Sequence, residues 1–257
     1  MSSQGLRLSH VSRRFGGIAA VNDVSLSIPF GGITSLIGPN GAGKTTLFNV
    51  IAGQLRPSDG MIHFAGERID GRSPDSIARR GILRSFQNTV TLPGLTVEEH
   101  LLGAALFPTI GRPIDLLRIG RVARSKSDRM RTVDAILALS GLSGHRASIA
   151  DTLPYGLQKI LGVAMALACR PRLLLADEPA AGLNGAETDR MEQVLRAIHG
   201  SGVTIIVVEH DLRLVMRLSH RVLVLVQGEI VADGPPDEVR HDPRVIEAYV
   251  GGEPDAT

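Results

Sequence analysis

LIGPNGAGKTT, residues Leu36 to Thr46, fits the phosphate-loop template G-x-x-x-x-G-K-[ST] in full, with Gly38, Gly43, Lys44 and Thr45 at the required places. An apolar run, Ile33 to Ile37, precedes it, and a helix-compatible run, Thr45 to Ala52, follows. That strand-to-helix context separates a working loop from a chance match. A triphosphate carries several negative charges. Gly41 and Gly43 can take the positive φ angles that turn successive backbone N–H groups inward as an anion nest, and the following helix adds its positive end. The whole loop, Gly38, Pro39, Asn40, Ala42 and the two nest glycines, is therefore assigned to phosphate binding. Lys44 is expected to bridge the β- and γ-phosphate oxygens and the Thr45 hydroxyl to complete a Mg²⁺ sphere.

Around this loop the composition is that of an ordinary globular protein: 43% hydrophobic, 21% charged, 257 residues, enough for one large domain or a core with a substantial insertion. A formal net charge of +2 argues against a nucleic-acid binder. Cys169 is the sole cysteine, which excludes an intramolecular disulfide and a cysteine-based metal site; within LGVAMALAC it reads as a small core residue. No apolar stretch approaches the roughly 18 to 20 residues that a membrane-spanning helix needs. MSSQGLRLSH lacks the basic-then-apolar pattern of a signal peptide. The expectation is a protein that stays where it is made and meets a membrane only through a partner.

Leu6 to Pro29 reads as two short strands, LRLSHV and VNDVSLSI, around a polar turn from Arg13 to Gly17. MIHFAGE is another strand, and Ser73 to Arg80 a short helix with Ser73 as cap, Pro74 at its first position and Gly81 as its stop. LRSFQN predicts a strand ending in Gln87 and Asn88. TVEEHLLGAALF has helical period, with Thr96 capping and Glu98 and Glu99 in the first turn. The arginine-rich stretch from Arg112 to Arg131 has no strand signal and leads into an amphipathic run, Met130 to Leu142. From Arg172 an α/β rhythm returns: RLLLADE, a helix from Ala186 to His199, VTIIVVEHD, a helix from Leu212 to Leu218, and the strands RVLVLVQ and EIVADG. Apolar runs without alternation imply a parallel sheet covered on both faces. Polar groups at strand C-termini are where such a sheet places its ligand.

Asp177 and Glu178 end LLLADE as a Walker B strand would. Two adjacent acids at a strand end are commonplace alone, but downstream of an intact phosphate loop they acquire roles. Asp177 is expected to hold Mg²⁺, directly or through water, and Glu178 to polarise the water that attacks the γ-phosphate. Gln87 and His210, also at strand ends, are placed to reach the same phosphate, Gln87 sensing Mg²⁺ and water, His210 donating to phosphate. Phe15, one of six phenylalanines in a chain without tryptophan, suits either adenine stacking or plain packing of a turn.

GPNGAGKTT, the SFQ segment, LPYGLQ, LLLADEP, AGLN and VVEHD stand in the order found in ATP-binding cassette ATPases. The chain from about Leu6 to Gly252 resembles the nucleotide-binding subunit of branched-chain amino acid (Liv-type) importers, with SRRFGGIAAVNDVS, the Tyr155-Gly156 pair, ADEPAAGLN and DPRVIEAYVG as further points of likeness. The resemblance implies adenine stacking for Phe15, phosphate and Mg²⁺ contacts for Lys44, Thr45 and Thr46, and the glutamine-loop role for Gln87. It implies metal binding for Asp177, base catalysis for Glu178, the end of the D-loop for Asn184 and the switch histidine for His210. It also implies that Tyr155 and Gly156 belong to the signature that completes a partner's ATP site. The signature departs from the usual LSGGQ and from the LSYGQQ or LAYGQQ frequent in this subfamily: Pro154 removes the serine hydroxyl and an N–H, Leu157 replaces a glutamine, and Ile160 stands where a basic residue is frequent.

Together these readings predict a parallel α/β core of the P-loop NTPase type, ABC-like, with an antiparallel β edge and a helical insert. The expected single domain spans 1–253, its core 1–87 and 171–253, its insert 88–170, with 254–257 as a tail. The expected function is ATP hydrolysis, with ATP and Mg²⁺, driving import of branched-chain or other hydrophobic amino acids. Two membrane permease subunits, a second ATP-binding subunit or a second copy of the chain, and indirectly a periplasmic or extracellular solute-binding protein are the implied partners. The implied location is the cytoplasmic face of the inner membrane, peripherally bound. The alternatives are an importer of another small solute such as urea or an amide, and a soluble cassette ATPase outside transport.

Overall fold

The first two strands, β1 (Leu6–Phe15) and β2 (Ile18–Ile28), run further than the apolar alternation alone predicts. Arg13 and Arg14, read as turn residues, pair with Val21 and Ala19, and Phe15 pairs with Ile18. The turn shrinks to Gly16 and Gly17, with Gly16 at φ 58°, as a two-residue hairpin loop requires. Polar residues continue a strand here because the cross-strand pairing runs through their backbone, with Arg14 exposed and Arg13 half-buried.

The computed structural model describes residues 5–85, 91–106 and 119–250. After β2 come β3 (Ile33–Ile37), α1 (Lys44–Ile51), β4 (Asp59–Phe64), β5 (Glu67–Arg68), α2 (Pro74–Arg79) and β6 (Ile82–Arg84). Then follow α3 (Val97–Leu106), α4 (Ile119–Leu139), α5 (Tyr155–Ala168), β7 (Leu173–Asp177) and α6 (Gly185–Gly200). The chain closes with β8 (Thr204–Val208), α7 (Leu212–Leu218), β9 (Arg221–Val226), β10 (Glu229–Gly234), α8 (Pro236–Val239) and α9 (Pro243–Val250). These elements form two compact units, one from the described residues of Met1–Arg80 and Thr204–Thr257, the other Gly81–Val203.

In the first unit β3 lies between β8 and β9, parallel to both, and β10 adds an antiparallel strand to β9. All five residues of β3 and of β8 are buried, including the polar Thr34, Ser35 and Thr204, as a strand covered on both faces requires. Ile37 packs with Val215, Val222, Val224, Ala232, Val239 and Val245, so the strand that delivers the phosphate loop is clamped by α7, β9, β10, α8 and α9. The antiparallel edge takes the form of a sheet of its own, ordered β2-β1-β4-β5.

In the second unit β6 and β7 pair in parallel, Ile82 with Leu173, Leu83 with Leu174 and Arg84 with Leu175. β7 is buried throughout. Caps define the helices as the sequence indicates. Ser73 accepts from the Ser76 N–H of α2 in the first unit. Here Thr96 and Glu99 exchange bonds at the start of α3, as Asn184 and Glu187 do at the start of α6. The arginine-rich stretch, from Ile119 onward, is continuous helix into the amphipathic run. Arginine and lysine are good helix formers, and no glycine or proline interrupts them after Gly120. Cys169 caps α5 half-buried, and burial pushes its thiol up to about 11, so it is protonated at neutral pH.

Arg146 joins three segments: its Nε and Nη2 donate to Glu98 at 2.8 and 2.9 Å, and its Nη1 to Asp134 at 2.7 Å. The Arg146 guanidinium holds the Glu98 carboxyl below its ordinary value of 4.5 against a smaller opposing effect of burial. A depressed carboxylate pKa stabilises the fold above the unfolded value and loses that contribution as pH falls through the folded one. Arg146→Met is expected to lower the melting temperature by about 3 °C at pH 7, with the gap to the parent closing below pH 4.5. Paired thermal melts at pH 7 and pH 4 check it; an equal gap at both would reject this ion pair as the cause.

Candidate functional site

The phosphate loop is shaped by what glycine leaves out. At Gly38 (φ 150°) an added Cβ would stand 2.0 Å from the Leu225 carbonyl oxygen, and at Gly43 (φ 101°) 2.0 Å from that of Ala20. The loop is thus pressed at both ends onto neighbouring backbone. Gly41 (φ 76°) has no such neighbour; there glycine serves the left-handed turn alone. Further bonds fix the loop: the Ala42 N–H donates to the Pro39 carbonyl at 3.2 Å, and the Gly228 N–H to the Ala42 carbonyl at 2.9 Å. The result is a nest carried rigidly between β3 and α1.

Lys44 is 6% exposed, and its Nζ donates to the carbonyls of Gly38 at 2.6 Å and Pro39 at 2.9 Å. A buried ammonium requires acceptors, and these two carbonyls supply them from within the loop. Thr45 is exposed in the first turn of α1 and Thr46 half-buried. Phe15 is 46% exposed, with the Arg13 guanidinium 4.5 Å from its ring centroid, so one face of the ring is covered by a cation. His210 is exposed just beyond β8, its backbone N–H donating to Glu209 Oε2, and Asp211 caps α7 through the N–H groups of Arg213 and Leu214.

The second unit carries the acids. Asp177 has a fully buried side chain; its Oδ2 accepts from Arg84 Nη2, and its Oδ1 has no hydrogen-bond partner. An orphaned buried carboxylate oxygen fits a metal ligand, since oxygen is the donor Mg²⁺ prefers. Glu178 follows at φ 48°, a left-handed conformation that non-glycine residues seldom adopt. Its carbonyl accepts from the Ala181 N–H at 3.2 Å and from Lys159 Nζ at 3.3 Å. Lys159, 6% exposed, also lies 5.7 Å from the centre of the Tyr155 ring. The signature residues thus share a lysine with the backbone of the proposed base.

Gly156 lies beneath Glu187: a Cβ would come 2.7 Å from its Oε1. Glu187 is held there by the capping box with Asn184, so a side chain at Gly156 would have to displace the Glu187 carboxylate from that box. Tyr155 is exposed, its hydroxyl donating to the Ala181 carbonyl at 3.5 Å. Pro154 precedes α5 without a side-chain cap, leaving the helix's positive end to backbone N–H groups. Gln87 lies outside the described residues. Two residues of this region escaped the sequence reading. Arg84 gives only a basic residue on a short apolar strand, and Lys159 only a lone cation amid the apolar residues of α5; in each case the cue was a charge where the pattern calls for burial.

Comparison with known proteins agrees with this geometry. Residues 21–181 match the family described as ABC transporter, and residues 229–255 that described as branched-chain amino acid ATP-binding cassette transporter. The chain is 39% identical to the high-affinity branched-chain amino acid transport ATP-binding protein BraF of Pseudomonas aeruginosa over 98% of this chain and 99% of that one. It is 38% identical to the corresponding protein LivG of Escherichia coli over the same shares. Among solved structures, a nucleotide-free ATP-binding cassette from an ABC transporter superposes with a TM-score of 0.82 at 29% identity, covering 97% of this chain and all, 100%, of that one. The ADP conformation of such a cassette gives 0.80 at 29% identity over 97% of this chain and 99% of the other.

The loop geometry separates the glycines. Gly41→Ala is expected to fold with a loss of about 1–2 kcal/mol, the left-handed penalty alone, about 2–8 °C in melting temperature. Gly43→Ala adds a clash with the Ala20 carbonyl and is expected to melt well below Gly41→Ala and to lose nucleotide binding. Melting curves with a fluorescent ATP analogue compare them. Equal stability of the two variants would contradict the packing described.

Proposed function

The chain belongs to the ABC transporter family, as an ATP-binding cassette that hydrolyses ATP, and from that premise we propose that it powers import of branched-chain or other hydrophobic amino acids. The observation that carries the reading is the phosphate loop, a nest of left-handed glycines closed by the buried Lys44. The end-to-end likeness to BraF and LivG, with the matched C-terminal segment, supports the cargo class. In this proposal two membrane permease subunits carry the solute and a second ATP-binding subunit, or a second copy of this chain, completes the dimer. A solute-binding protein delivers the cargo from outside. The cassette itself sits peripherally on the cytoplasmic face of the inner membrane. None of the helices among the described residues is long and apolar enough to cross a membrane.

The residue roles follow from chemistry. N–H groups from Gly38, Pro39, Asn40, Gly41, Ala42 and Gly43 surround the phosphates, and Lys44 exchanges its loop carbonyls for β- and γ-oxygens. Phe15 offers the open face of its ring to adenine. Thr45, Gln87 and Asp177 would hold Mg²⁺, which supplies charge neutralisation to the leaving phosphate, and Thr46 adds a phosphate contact. Glu178 orients and deprotonates the attacking water, from a left-handed backbone whose carbonyl Lys159 holds. His210 donates to the γ-phosphate, and Gln87 reports metal and water to the membrane partner. Tyr155 and Gly156, at the start of α5, present backbone N–H groups to ATP held by the partner cassette. Pro154 and Leu157 leave that contact to the backbone, with fewer side-chain donors than LSYGQQ provides.

Glu178→Gln is expected to keep nucleotide affinity within threefold of the parent while ATP turnover in the transporter reconstituted with its permeases falls about 10²- to 10⁴-fold. The same vesicles test the cargo: ATP turnover by the parent is expected to rise with leucine-loaded binding protein and not with urea. A fully active Glu178→Gln variant would reject the base assignment, and stimulation by urea alone would reject the cargo.

A further inference from the structure

Arg84 pairs in register with Leu175, two residues before Asp177, so Arg84 and Asp177 project from the same face of the two-stranded ladder. Reaching forward along the strand, the guanidinium meets the carboxylate. The Asp177 side chain is 0% exposed and that of Arg84 16%, so water screens the pair little. Yet the carboxylate is only half used. Its Oδ2 accepts from Arg84, while Oδ1 has no hydrogen-bond partner. Arg221 with Asp233 and Arg68 with Asp70 engage both oxygens, and Asp134, which meets Arg146 through one oxygen, is half exposed, so water can serve its other; the second oxygen of Asp177 is buried. A buried carboxylate with one oxygen neutralised and the other open is unsatisfied as a structural ion pair and suited to exchange its cation.

We propose that Arg84 is a placeholder cation: it neutralises Asp177 while no metal is bound, and its bond to the carboxylate competes with binding of a divalent cation there. The proposal rests on the reading of Asp177 as the metal-binding acid. A divalent ion on Oδ1 and a guanidinium on Oδ2 would stand a few ångströms apart in a poorly screened site, where like charges repel strongly. Arg84 therefore gives way when the metal arrives, and the metal's apparent affinity is reduced by the fraction of molecules in which Arg84 holds the carboxylate. Arg84 is a positioning residue: it acts through Asp177. It lies three residues before Gln87, so its release occurs in the strand that leads directly into the glutamine segment.

The full chain, purified without nucleotide, is titrated with Mn²⁺ in the presence of ADP and followed by electron paramagnetic resonance, for the parent, Arg84→Met, Arg84→Lys, Asp177→Asn and the double variant Arg84→Met with Asp177→Asn. Arg84→Met is expected to bind Mn²⁺ about 5- to 50-fold more tightly than the parent, with Arg84→Lys between them. Without metal its melting temperature is expected to fall by about 10 °C, because the carboxylate is left buried and uncompensated. Mn²⁺ with ADP should restore most of that loss. The double variant should melt near the parent, since neither charge remains. If Arg84→Met and Arg84→Lys bind Mn²⁺ no more tightly than the parent while Asp177→Asn weakens it, Arg84 is no competitor and the placeholder role is overturned with the metal assignment intact. If Asp177→Asn leaves Mn²⁺ affinity unchanged, the metal assignment fails and the inference with it. A double variant as unstable as Arg84→Met would make Arg84 a packing residue and also overturn the proposal.

Discussion

A buried ammonium needs a partner at every moment, and Lys44 finds one in the backbone of its own loop. This requirement organises the first unit. The carbonyls of Gly38 and Pro39 can face the lysine only if the chain leaves β3 in a left-handed turn. The turn can close only if Gly38 and Gly43 lie directly on the Leu225 and Ala20 carbonyls. The neighbouring strands must in turn be held, which the apolar cluster around Ile37 achieves. A phosphate loop is thus less a flexible glycine-rich stretch than a backbone packed from both sides around one charge.

The buried charge of the second unit obeys the same logic with the sign reversed. Asp177 meets Arg84 on one oxygen and keeps the other open. In the proposed roles, each charge is held by a partner weaker than the group that would replace it, a neutral carbonyl for a phosphate oxygen and a singly charged guanidinium for a divalent ion. Binding is then an exchange of partners, and its net free energy is much smaller than the gross attraction between ion and charge. Such moderation suits an enzyme that has to release its product in every cycle. Lys159 adds a third buried charge, spent on holding the Glu178 backbone in a conformation that a non-glycine residue seldom adopts.

Much of this was legible in the sequence because the controlling signals are local. The phosphate loop, the Ser73 and Thr96 caps, the strand RLLLADE and the helix from Leu212 to Leu218 each depend on residues within a few positions of one another. What was missed depends on distance. Arg84 acquires its meaning from Asp177, 93 residues on, and its side of a strand from a pairing register that no local pattern encodes. Gly156 lies against the Glu187 side chain, a contact between α5 and α6 that no local pattern encodes. The turn placed at Arg13 to Gly17 failed for the opposite cause: polar residues suggested a loop, whereas cross-strand pairing with Val21 and Ala19 carries the strand onward.

The central claim is that Lys44 is held in reserve by its loop for the phosphates, and steady-state ATP hydrolysis by the Lys44→Ala variant tests it most directly. The substitution removes a charge aimed at substrate and nothing from the apolar core. The account predicts a turnover at least about 10²-fold below the parent, with a cooperative melting transition retained. Turnover within threefold of the parent in a folded variant would contradict it.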